Sequence, residues 1–140
     1  MALLVFINAA LFCAIALLHF YWAFGGRHFK FTVLPKHAEG QTVFQPGFFS
    51  TIVVAVGLVI FAFITLGNLG WFDEFIPHQF IHYATLVIGA IFILRAIGDF
   101  KFIGFFKKVK GTDFADNDTR IFSPIALLMG VVSIAIVIWN

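Results

Sequence analysis

Charged residues are scarce in this chain: only 11% of its 140 residues are Asp, Glu, Lys or Arg, while 61% are hydrophobic. A soluble domain carries charge on roughly a quarter of its residues, so water is not expected to be its only solvent. Cysteine is almost absent. The single Cys13 excludes an intramolecular disulfide and leaves the redox compartment unread. The sequence also lacks a Walker loop, a G-x-S-x-G elbow, an H-E-x-x-H helix and a Rossmann fingerprint, so the commonest soluble-enzyme signatures are missing. A net charge of +2 with nine basic residues gives no support for nucleic-acid binding.

What is present is long apolar sequence. Residues 1–26, 40–72, 75–94 and 121–140 contain no charged side chain. A membrane-spanning helix needs about 20 predominantly apolar residues at 1.5 Å rise each. The four stretches therefore predict four spanning helices, near 2–24, 48–66, 77–97 and 122–139. The 21 phenylalanines suit lipid-facing and interfacial surfaces. No Lys or Arg precedes the first apolar run, which is longer than a signal-peptide h-region, so cleavage there is not expected. The fold class predicted is all-α: a single-domain integral membrane four-helix bundle over residues 1–140.

The basic residues set the orientation. Arg27, Lys30 and Lys36 lie between helices one and two; Arg95, Lys101, Lys107, Lys108, Lys110 and Arg120 lie in or beside the connection from three to four. The turn between helices two and three holds only Asp73 and Glu74. Short loops rich in Lys and Arg stay in the cytoplasm. Both termini are thus expected outside, with two long cytoplasmic loops, in the inner membrane of a bacterium. Phe100, Phe102, Phe105 and Phe106, interleaved with Lys101, Lys107 and Lys108, read as a segment lying in the interface, its ammonium groups meeting anionic headgroups.

Small residues at helical spacing predict the packing faces: Ala9, Cys13, Ala16 and Ala23 on helix one; Thr51, Ala55, Ala62 and Thr65 on two; Ser123, Ala126, Gly130 and Ser133 on four. A weak internal repeat relates Gly26-Arg27-His28-Phe29-Lys30-Phe31 to Gly98-Asp99-Phe100-Lys101-Phe102, and Phe44-Gln45-Pro46 to Phe122-Ser123-Pro124. Small transporters use such parallel repeats.

Ionisable groups inside a bilayer are costly and usually face the bundle interior or an aqueous cavity. His78 and His82, at i and i+4, point the same way, but two histidines alone are a weak metal signal. They are expected as neutral imidazoles hydrogen-bonded within the bundle, and no metal or other cofactor is expected. His19 lies deep in helix one and His82 early in helix three, a difference on the order of 18 Å along the membrane normal if both helices run the same way. A haem held by both is excluded.

The cytoplasmic ends gather the other polar groups. His19, Tyr21, Trp22 and Arg27 end helix one; Arg95 and Asp99 end helix three; Asp118, Thr119 and Arg120 begin helix four. Arg preceding Asp by one turn is the weaker order for an ion pair, and acid at a helix C-terminus opposes the macrodipole. Asp99 is therefore expected to pair across helices or with a ligand, and Asp118 or Thr119 to cap helix four. Convergence of His19, Trp22, Arg95 and Asp99 with Asp118 or Arg120 is expected near the inner membrane boundary. Such a site suits an amphiphile with a polar head, and an ion-paired latch between helix ends is the plainer alternative.

The segments H-F-Y-W-A-F-G-G-R at 19–27, Leu34-Pro35, R-A-I-G-D-F-K at 95–101, G-F-F-K at 104–107 and D-T-R-I-F-S-P at 118–124 resemble a bacterial family of small four-helix membrane proteins catalogued only as a domain of unknown function. The resemblance implies the same fold and brings no activity. The reading drawn here is a membrane protein that binds a lipid or small amphiphile at an inner-leaflet site formed by His19, Tyr21, Trp22, Arg27, Arg95, Asp99, Asp118 and Arg120. Membrane lipid is the expected partner, and an accessory role implies a second copy or another membrane protein. The alternatives are a membrane enzyme on a lipid or isoprenoid-like substrate, with His19 and Asp99 in proton transfer, and a small oligomeric transporter.

Overall fold

The computed structural model of the chain describes residues 1–28, 30 and 32–140. Among them four helices are long and apolar enough to cross a membrane: α1 (Ala2–Ala23), α2 (Phe48–Gly67), α3 (His78–Ile97) and the run Asp113–Trp139. That last run starts as the short helix α4 (Asp113–Asn117), widens into a π turn at Asp118–Phe122 and continues as α5 (Ser123–Trp139). The only β pairing among the described residues is one bridge between Lys36 and Thr42 in the first long loop.

The first three helices end within a residue of the expected limits, because their boundaries are where apolar sequence stops. The fourth helix begins nine residues earlier than expected, which shortens the loop before it to 98–112. Its cap is Thr112, whose hydroxyl accepts the Ala115 N–H at 3.1 Å, and not Asp118 or Thr119. Asp113 and Asp116 then occupy the first turn, where carboxylates complement the macrodipole. Eight residues after Asp116, Pro124 has no N–H to offer, and its ring would press on the carbonyl one turn back. The widened turn at Asp118–Phe122 sits immediately before it, where such a misfit is absorbed.

α1 packs chiefly along α2, and α3 along α5. The α3–α5 contact is close enough that a Cβ on Gly130 would lie 2.9 Å from the Gly89 carbonyl oxygen, the approach that small residues permit inside lipid. Phe12, Ala16, Leu58, Ala62, Ile88 and Met129 form the core. The Phe12 ring meets Phe61 and Phe92 edge-on, with centroids 5.9 and 5.2 Å away. The small-residue stripes of α2 and α5 are buried as expected, as are Ala9 and Ala16 of α1. Cys13 instead faces outward.

Two asparagines stitch the two helix pairs together. Asn8 Nδ2 donates to Ser133 Oγ at 2.9 Å, and Asn68 Nδ2 donates to Thr85 Oγ1 at 2.8 Å. The outer faces carry Leu3, Leu17, Phe49, Phe63, Phe80, Leu94 and Ile138, all exposed. An apolar surface of that extent would drive aggregation in water; against acyl chains it is the matching surface. The chain is an integral membrane four-helix bundle.

Contacts also fix which helix ends lie together. Asn140 after α5 reaches Asn68, His78 and His82, so the acidic turn between α2 and α3 and the end of α5 share one end. The two long loops share the other: Lys36 Nζ lies 3.5 Å from Asp113 Oδ2, and the His37 ring meets Phe102 at 5.3 Å. His19 and His82 therefore sit at opposite ends, and no single iron reaches both. Part of the first repeat segment, Phe29 and Phe31, lies outside the described residues.

Candidate functional site: a buried carboxylate between two basic side chains

The site is built where loop 98–112 folds back on the end of α3. Gly98 and Gly104 both have positive φ, 93° and 89°, and their Cα atoms touch: a Cβ on Gly104 would lie 2.5 Å from Gly98 Cα. Only glycine at both places permits this crossing. Phe105 N–H then donates to the Ala96 carbonyl at 2.8 Å, which occupies one of the helix's orphan acceptors.

The crossing delivers two donors to Asp118, which is fully buried. Gly104 N–H donates to Asp118 Oδ2 at 2.7 Å, and Lys107 Nζ donates to the same oxygen at 3.0 Å. From α3, Arg95 Nη2 donates to Oδ1 at 2.7 Å. Lys107 Nζ also donates to the Gly104 carbonyl and to Thr119 Oγ1, at 2.9 and 2.6 Å, and Thr119 passes its own proton to the Ala115 carbonyl. One carboxylate thus ties α3, the returning loop and the π turn together, with two cations on one anion.

Asp99 has a different task from the one expected. Its Oδ1 accepts the N–H groups of Lys101, Phe102 and Ile103 at 2.9, 2.7 and 2.9 Å. It holds its own loop and pairs with neither Arg95 nor another helix. Burial opposes ionisation of this carboxyl, and the three N–H donors outweigh it, holding it below the ordinary carboxylate range. The folded loop therefore favours the anion. That stabilisation is complete above the ordinary value of about 3.9 and is lost as pH falls through the lower folded value. Backbone amide shifts of Lys101, Phe102 and Ile103 in detergent are expected to move together below about pH 4, and to be pH-independent there in Asp99→Asn.

Of the remaining expected residues, Arg120 lines a cavity beside the carboxylate, and Trp22 lines a second, apolar one with Leu18, Val33, Ile121 and Phe122. His19 Nδ1 donates to the Ile15 carbonyl at 2.8 Å and its ring stands edge-on to Trp22. Tyr21 hydroxyl and His28 Nδ1 are 2.9 Å apart, and Trp22 Nε1 donates to the His28 carbonyl at 2.8 Å; these bonds fasten the first loop. Arg27 is exposed. Of the expected set, Arg95 bonds to Asp118 and His19 meets Trp22 edge-on, while Arg120 lines the cavity next to Lys107.

The interfacial phenylalanine segment is not a helix. Phe100, Phe105 and Phe106 are exposed, consistent with a place in the interface, but Lys107 is buried and turned inward. Its role was hidden in the sequence because Lys107 looks like any other basic residue of a positive loop. The readable signal was the glycine pair flanking 99–103.

The sequence model of a family described as protein of unknown function, DUF3995, matches residues 12–133. The chain belongs to this family. The match takes in every residue of the site just described. No curated protein and no solved structure matches the chain.

The cationic cavity has a volume of about 340 Å³ and is lined by Phe105, Lys107, Lys110, Asp116, Thr119 and Arg120. Lys110 and Arg120 have no carboxylate partner among the described residues. Arg95 Nη1 is buried, and no acceptor among the described residues reaches it. Basic groups therefore outnumber acidic ones here: Arg95, Lys107, Lys110 and Arg120 face Asp118 and Asp116.

Proposed function

We propose that this protein binds the anionic head of a membrane amphiphile, a phosphate-bearing lipid, in the cavity beside Asp118, and that this end faces the cytoplasm of a bacterial inner membrane. The observation that carries the reading is the cationic excess: Lys107, Lys110 and Arg120 line an open cavity beside one carboxylate, Asp116, and neither Lys110 nor Arg120 pairs with a carboxylate among the described residues. Arg recognises phosphate through paired N–H donors and Lys as a point charge. The gathering of all basic residues at one end supports the cytoplasmic assignment. The apolar cavity of Leu18, Trp22, Val33, Ile121 and Phe122 flanks the same π turn and suits an acyl tail. The enzyme alternative loses its acid, because Asp99 is committed to three backbone donors.

The test is native mass spectrometry of the full chain released from detergent, with phosphatidylglycerol and phosphatidylcholine offered at equal concentration. The expected result is preferential retention of one phosphatidylglycerol per chain. The preference should disappear in Lys110→Gln/Arg120→Gln, two exposed positions whose loss leaves thermal unfolding unchanged. Equal retention of both lipids by the wild type would overturn the proposal.

A further inference from the structure

The opposite end of the bundle holds a second polar cluster. His78 Nδ1 and Asp73 Oδ1 are 2.9 Å apart, so the imidazole donates there and its Nε2 is left as an acceptor. The His82 ring packs against His78 at a centroid distance of 4.4 Å. Both Nε2 atoms lie 3.0 Å from one atom, Asn140 Nδ2, which is also 3.0 Å from the Asn68 carbonyl oxygen. A backbone carbonyl can only accept, so the Asn140 group facing it must be the amide NH2. Of its two hydrogens one goes to the carbonyl and the other is shared between the two Nε2 atoms, both of which must be unprotonated to receive it. The contact joins the end of α5 to the end of α2 and the first turn of α3, and it exists for one protonation state only.

Beneath it lies a polar seam between the two helix pairs. Asn68, at the end of α2, bonds to Thr85 of α3, and Asn8 of α1 bonds to Ser133 of α5. The amide oxygens of Asn68 and Asn8 are both buried with no donor among the described residues reaching them. Inside a bilayer such acceptors are strongly disposed to take water when it has access.

We propose that His78, His82 and Asn140 form a proton-operated clasp that closes this seam, and that protonation of either imidazole opens it to water. An imidazolium would set an N–H against the Asn140 amide hydrogens, a repulsive contact in place of an attractive one. Few groups stand around the clasp: Asp73 from the α2–α3 turn is the charged group bonded to it, Glu74 is the next residue of that turn, Asn68 is neutral, and α1 and α5 bring no titratable side chain to this end. Asp73 already holds His78 Nδ1, so an imidazolium at His78 keeps that carboxylate as a partner while its Nε2–H is set against Asn140. The clasp is closed while both imidazoles are neutral and released when either takes a proton. This device lies at the other end from the amphiphile cavity and does not depend on it.

The test compares thermal unfolding of the full chain in detergent at about pH 7.5 and about pH 5. The wild-type Tm is expected to fall on acidification. His78→Gln/His82→Gln, whose side-chain oxygens accept at either pH, should lose most of that fall. Asn140→Asp should shrink or reverse the fall, since a carboxylate accepts from protonated imidazoles, and it should lower Tm at the higher pH, where it meets the Asn68 carbonyl and two neutral Nε2 acceptors. Side-chain amide NMR of Asn140 in the wild type should shift with the same midpoint as the histidine rings. A pH-independent wild-type Tm, an equal fall in all three proteins, or an Asn140 amide indifferent to histidine titration would each overturn the clasp.

Discussion

Asp118→Ala is expected to lower unfolding stability by about 3–5 kcal/mol, the range seen when one partner of a buried ion pair is removed. Asp118 is fully buried and accepts from Arg95, Lys107 and Gly104. Its loss leaves Lys107, whose side chain is 2% exposed, as a cation with no anion and Arg95 as its neighbour. Asp118→Asn keeps an acceptor oxygen but not the charge, so it should be harmful to a smaller degree. The companion variant Asp118→Leu/Lys107→Met removes anion and buried cation together. It should recover much of the loss, because replacing a buried pair by apolar side chains is often close to neutral, and Arg95, a third exposed, still reaches the headgroup region. Chemical unfolding in mixed micelles measures all three. An Asp118→Ala protein within about 1 kcal/mol of wild type would mean that the triad behaves as an exposed ion pair does.

The same triad shows which parts of the site were readable from sequence. That Arg95 needs an anion follows from its depth in an apolar helix, and the sequence offered Asp99 and Asp118 as candidates. Choosing between them depended on geometry with no periodic signal. Asp99 is one turn from Arg95 in sequence, yet Gly98 breaks the helix before it and the loop's own N–H groups capture its carboxylate. Asp118 looked like a cap because the residues before it, Asp113, Phe114, Ala115, Asp116 and Asn117, read as polar loop. They are helical because Thr112 caps them and the acids suit a helix start. Moving the start of the helix upstream turns Asp118 from a cap into an interior residue pointing at α3. The four spans were legible because hydropathy and charge are properties of the sequence itself. The site was only half legible because it is made by a loop whose course two glycines decide.

Those glycines carry the second large expectation. Gly98→Ala should cost on the order of 3–6 kcal/mol, combining a disfavoured backbone with the loss of donors to a buried carboxylate. An alanine Cβ there would sit 1.7 Å from the Ile103 carbonyl oxygen and 2.7 Å from Gly104 Cα, so backbone must move. The movement takes Gly104 N–H and Lys107 Nζ away from Asp118 Oδ2, because both follow directly from the crossing. Gly111→Ala is the matched control: its φ is 78°, yet nothing lies within 4 Å of the added Cβ. It should show the backbone cost alone, about 1–3 kcal/mol. The difference between the two variants therefore isolates the crossing from the conformational penalty of positive φ. It should shrink in an Asp118→Leu/Lys107→Met background, where the backbone clash remains but no carboxylate loses its donors. Equal losses for Gly98→Ala and Gly111→Ala in the wild-type background would show that the loop reaches Asp118 without needing the two chains to touch.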